Sequence, residues 1–119
     1  MTACLMVGSV AIALSGPAFV LRWTHSVEKV EWVEEWRIEP DALHLTGARV
    51  KGSGAGMEPG EGAVLQDGWW VWPVDRRLRK LTIAASGTTG AGWQLCDAIA
   101  CKILGAEAGN PVTLAPCLP

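Results

Sequence analysis

A chain of 119 residues is short enough to be one domain and long enough to bury one modest core. Half of its residues are apolar and 18% are charged, a balance that excludes intrinsic disorder over most of its length. The net charge of −2 argues against nucleic acid as a partner, since neutralising phosphates takes a surplus of Lys and Arg on one face.

The first apolar stretch, Cys4 to Leu14, is divided by Gly8-Ser9 into two β-like runs, Ala3–Val7 and Val10–Leu14, and reads as a hairpin. It has no positive charge before it and is too short for a bilayer span. No export signal is therefore expected here, which places the chain in the cytoplasm by default, with the periplasm or cell envelope as the alternative. Phe19, Leu21, Trp23 and His25 then alternate with Arg22, Thr24 and Ser26 as the two faces of a strand.

Residues 27–38 fit two patterns. Val27, Val30, Val33 and Trp36 make a helical stripe, whereas Trp32, Glu34, Trp36 and Ile38 make a strand face. The β-branched and Trp content favours the strand. Leu43 to Lys51 is its expected partner across the Pro40-Asp41 turn, and a glycine-rich loop follows from Gly52 to Gly60. Ala63-Val64-Leu65 and Trp69 to Trp72, joined by Asp67-Gly68, read as a short hairpin.

Arg76, Arg77, Arg79 and Lys80 are expected in a solvated loop before the next strand, or as a docking patch for an acidic partner or membrane surface. Further strands are expected at Leu81–Ala85, Trp93–Cys96 and Ala100–Leu104. Residues 1–104 thus form a single β domain, and 105–119, rich in Pro, Gly and Ala, a loosely ordered C-terminal tail. Short strands with frequent turn signals predict an all-β fold, a small antiparallel sandwich or partly open barrel. The seven tryptophans, each able to bury roughly 150–250 Å², are expected to supply much of its core.

Catalytic signals are weak. His25 and Ser26 are neighbours on a strand and face opposite ways, so they cannot pair as nucleophile and base. A metal-assisted enzyme using His25 with Glu28, Glu31, Glu34 or Glu35 is an alternative reading, although a strand would turn Glu34 away from Glu31 and Glu35. The four cysteines lack the two close pairs of a zinc ribbon. Cys96 and Cys101 could clip a hairpin as a disulfide in an oxidising compartment, or remain thiols in a reducing one. Glycines spaced G-x-G-x-G, followed by Pro59-Gly60, do not match a dinucleotide fingerprint. The loop could still form an anion-binding concavity, with Arg49 and Lys51 adding charge, or serve only as a turn. No cofactor is expected.

Trp23-Thr24-His25-Ser26-Val27-Glu28-Lys29, then Trp32 with Glu34-Glu35-Trp36, then Gly52 to Pro59 together resemble a bacterial family, the domain of unknown function numbered 1850. The likeness runs from about Cys4 to Leu104 and includes Trp93 to Cys96 and Cys101. Genes of that family often lie beside TRAP transporters of the TAXI type, whose substrates are mostly small carboxylates. The resemblance implies a non-catalytic accessory or binding domain for such an uptake system. It would contact membrane or solute-binding subunits, or a small carboxylate itself. The resemblance singles out His25, Ser26, Glu28, Glu35, Gly54 and Gly56, and with Arg49 from the anion-binding reading of the glycine loop these are the expected ligand-binding positions. A purely structural role for the same residues is the remaining alternative.

Overall fold

The computed structural model describes residues 3–24, 30–51, 60–84, 92–105 and 109–117. In chain order the strands are β1 (Ala3–Val7), β2 (Val10–Leu14), β3 (Ala18–Thr24), β4 (Glu31–Ile38), β5 (Leu43–Lys51) and β6 (Val64–Gln66). They continue as β7 (Trp69–Leu78), β8 (Leu81–Ile83), β9 (Trp93–Cys96), β10 (Cys101–Leu104) and β11 (Val112–Pro116). Two antiparallel sheets result, ordered β2-β1-β11-β8 and β10-β9-β3-β4-β5-β7-β6, and neither closes into a barrel. The molecule is an all-β sandwich of a small sheet on a large one.

Local chemistry sets the hairpins. Asp67 and Gly68 both have positive φ (51° and 84°), as the tight turn whose twist matches that of the flanking strands requires. From Glu31 to Ile38 the ambiguous segment is a strand, whereas 27–29 lie outside the described residues: β4 pairs with β3 along Thr24↔Glu31 to Ala18↔Arg37, and with β5 on its other side. Its alternation puts Trp32, Glu34 and Trp36 on the inner face, and Glu31, Val33 and Glu35 on the outer.

The apolar pattern of β5 changes phase halfway. Leu43 and Leu45 are buried, and so are Ala48 and Val50, which a regular strand would place on opposite faces. The register slips between Leu45 and Gly47 against β7, and between Glu35 and Trp36 against β4. Against β4 Thr46 is an extra, bulged residue, whereas against β7 the extra residue lies in β7, where Val74 and Asp75 stand opposite Thr46; both apolar pairs of β5 point inward. Thr46 Oγ1 donates to the Glu35 carbonyl at 3.2 Å.

Leu5, Leu14 and Leu114 of the small sheet pack on Phe19, Leu21, Trp36, Leu43, Leu45 and Leu95 of the large one. Only one tryptophan, Trp36, lies in this cluster. Leucines fill most of it, whereas the composition had pointed to tryptophan.

Two expectations need correction. Within the supposed tail 105–119, β11 lies between β1 and β8, and Leu114 is 0% exposed. Pro and Gly content hid a short alternating strand in which Val112 and Leu114 face inward. Cys117, just beyond β11, is disulfide-bonded to Cys4 of β1. The basic run is also not simply a loop, since Arg76 and Arg77 belong to β7. Arg77 Nε donates to Glu39 at 2.9 Å and its NH1 to Asp75 at 3.1 Å. Neutralised charge can therefore extend a strand that composition alone would end.

Candidate functional site

The outer face of the large sheet holds a basin of about 460 Å³, with the bulged Thr46 among its lining residues. Ala18, Val20 and Arg22 line it from β3, Glu35 and Arg37 from β4, and Thr46 and Arg49 from β5. Cys96 and Asp97 close one side. Strand alternation accounts for the grouping: Arg22, Val33 and Arg49 share one rung across β3, β4 and β5, with Val20 and Glu35 on the next.

Three guanidinium groups reach this basin. Arg22 NH2 lies 3.2 Å from Glu31, and Arg49 NH1 lies 3.2 Å from Glu35. Among the described residues, Arg37 has no carboxylate within ion-pair distance, and the Nε of Arg22 is a buried donor with no partner. Arg49 and Lys51 also lie 5.2 and 5.1 Å from the ring centroid of Trp69, on the outer face where strand alternation puts both.

The carboxylate of Asp97 is already occupied. Its Oδ1 accepts the N–H groups of Ile99 and Ala100 at 2.8 Å each, and its Oδ2 accepts that of Ser15 at 2.9 Å. These backbone donors, with that of Ala100 the largest influence, hold its pKa down to about 2. The β9–β10 hairpin is clipped as well by the Cys96–Cys101 disulfide, whose residues face each other in register. With Asp97 satisfied internally, the charge left for a ligand is mainly positive.

The Asp97 pKa predicts a pH dependence. The folded value lies below the ordinary 3.8, so the stabilisation is complete above that value and lost as pH falls through about 2. Asp97→Ala is expected to lower the melting temperature at pH 7, and the gap to wild type should narrow in melts taken towards pH 2. A gap that does not change with pH would assign the loss to something other than these hydrogen bonds.

A second polar cluster lies beyond the basin on the same face. His44 Nε2 is 2.6 Å from Asp75 and its Nδ1 is 3.2 Å from Glu39. The hydrogen bond from His44, followed by the charge of Arg77, holds the Asp75 carboxyl below its usual range. Glu39 is lowered chiefly by the Arg77 hydrogen bond. Both imidazole nitrogens are engaged, so this arrangement clamps β4, β5 and β7 and leaves no ring nitrogen free for a metal.

Of the expected site residues, Glu35 and Arg49 meet in the basin. His25, Ser26, Glu28, Gly54 and Gly56 lie outside the described residues. The chain leaves β3 at Thr24 and β5 at Lys51 from the same end of the large sheet, as the pairings Thr24↔Glu31 and Trp32↔Val50 require. Arg22, Arg37, Thr46 and Asp97 were not expected to line a site. Arg22 and Arg37 could have been found by tracking the outward face of each strand, whereas Thr46 depends on the bulge. Among the described residues no group of three His, Cys, Asp or Glu side chains is placed to hold a metal ion.

Fold and site together define a small, open β-sandwich with a charged basin on the outer face of its larger sheet. The chain belongs to the family described as Domain of unknown function (DUF1850), whose model matches residues 19–103. The match spans β3 to β10, and with them every strand of the large sheet. No curated protein and no solved structure matches the chain.

Proposed function

We propose that the chain is a non-catalytic binding domain that takes a small carboxylate in the outer-face basin, as an accessory to a TAXI-type TRAP uptake system. The observation that carries the binding reading is the convergence of Arg22, Arg37 and Arg49 on one concavity, where the nearby Asp97 is satisfied by backbone. Guanidinium groups suit carboxylates because two parallel N–H donors match two oxygens. The transporter association rests on the family resemblance. Two disulfides among the described residues favour an oxidising compartment, hence the cell envelope over the cytoplasm. The arrangement of the glutamates gives no support to the metal-assisted alternative: Glu31 and Glu35 are each paired with arginine and Glu34 faces the other side of the sheet.

Isothermal titration with mono- and dicarboxylates should find at least one that binds. Arg37→Gln should weaken it by roughly tenfold or more, the scale of one lost charge-assisted contact. In parallel, tagged protein recovered from host membranes should carry a transporter subunit. Failure of every carboxylate to bind, together with recovery of the protein alone, would end this reading.

A further inference from the structure

The inner face of the large sheet has two halves. One is packed beneath the small sheet. On the other, indoles meet across four strands: Trp23 stacks beside Trp32 with centroids 6.0 Å apart, Trp93 lies 4.4 Å from Trp23, and Trp72 meets Trp32 edge-on at 6.0 Å. All four are half-buried, and none belongs to the core cluster against the small sheet.

At the boundary stands one carboxylate. Glu34 faces inward between Leu21 and Ala48, its cross-strand neighbours, with Trp32 and Trp36 two residues away on either side. Its Oε1 accepts the Trp36 Nε1–H at 3.1 Å. Burial outweighs that hydrogen bond and pushes the Glu34 carboxyl above its usual range. Ordinary core design would place an apolar residue here, because a carboxylate among leucine and indole is costly without a counter-charge.

We propose that Glu34 and the Trp23, Trp32, Trp72 and Trp93 indoles form a second binding site, distinct from the arginine basin, which takes a small organic ammonium group. Indole faces attract cations through their ring quadrupole, most strongly when water is excluded. The carboxylate supplies the opposite charge and fixes where the cation sits. An anion is disfavoured on both counts, so the two faces of one sheet select ligands of opposite sign.

The test titrates the protein with tetramethylammonium chloride and with butylammonium chloride, read by tryptophan fluorescence and calorimetry, with sodium chloride as control. A saturable response to at least one ammonium is expected. It should weaken roughly tenfold or more in Glu34→Gln and in Trp32→Leu, a loss in line with one desolvated cation–π or ionic contact. Arg37→Gln should leave it unchanged, which separates this site from the basin. Circular dichroism of each variant checks that the fold persists, and Glu34→Asp, which keeps the charge, should retain part of the binding. No saturable response beyond the sodium control would overturn the proposal, as would equal binding by Glu34→Gln.

Discussion

Replacing Cys4 and Cys117 together by serine is expected to lower stability by about 4.7 kcal/mol, the chain-entropy value for a loop near 100 residues. The bond joins positions 113 residues apart, so in the unfolded chain it restrains almost the whole sequence. The Cys96–Cys101 bond spans a separation of five residues and should contribute only about 2 kcal/mol on the same account. For a domain of this length the first loss corresponds to a fall in melting temperature of roughly 20 °C, at about 4 °C per kcal/mol. Calorimetric melts of the two double-serine variants check the ranking. Equal losses would show that loop length does not govern the effect.

Trp36→Ala is the second large effect expected, about 3–5 kcal/mol for emptying the space of a buried aromatic. Trp36 is 3% exposed, lies parallel to Phe19 with centroids 6.4 Å apart, and donates to Glu34. Its removal opens a cavity at the centre of the leucine cluster and strips Glu34 of that donor. Leu65→Ala, on the short edge strand β6 and 56% exposed, should stay within about 0.5 kcal/mol. Urea unfolding of both variants measures the difference. A small loss at Trp36 would mean that the core between the sheets does not depend on this ring.

Much of the fold could be read from alternation. Apolar runs bounded by turn residues mark the hairpin at 3–14 and the strand Leu43–Lys51, and the strand from Phe19 onward carries a period of two that only a sheet with one buried side explains. The same logic sent Glu34 to the face opposite Glu31 and Glu35, as the structure has it. Two things escaped it. The strand Val112–Pro116 is bracketed by prolines and too short for its period to stand out from composition. The phase change at Thr46 was visible as Leu43 and Leu45 against Ala48 and Val50, but which residue bulges is decided by pairing with two neighbouring strands.

The basin was legible only in fragments. Glu35 and Arg49 could be singled out, yet their meeting depends on register between β4 and β5, which no single segment encodes. Arg22 and Arg37 reach the same place from residues distant in sequence, through pairings a linear reading does not supply. The Cys4–Cys117 bond escaped for a related reason: it needs β1 and β11 to be neighbours, and β11 had been given to a loose tail.

That bond has a mechanical meaning as well. Because Cys4 of β1 is bonded to Cys117, the residue just after β11, the polypeptide between them is a covalent ring. Tension arriving from chain on either side of the ring crosses one sulfur–sulfur link and bypasses both sheets. Domains tethered at both ends are ordinarily pulled apart strand from strand, with hydrogen bonds as the weakest members. Here the load path avoids them, and a single cut in any loop within the ring leaves the two pieces still joined.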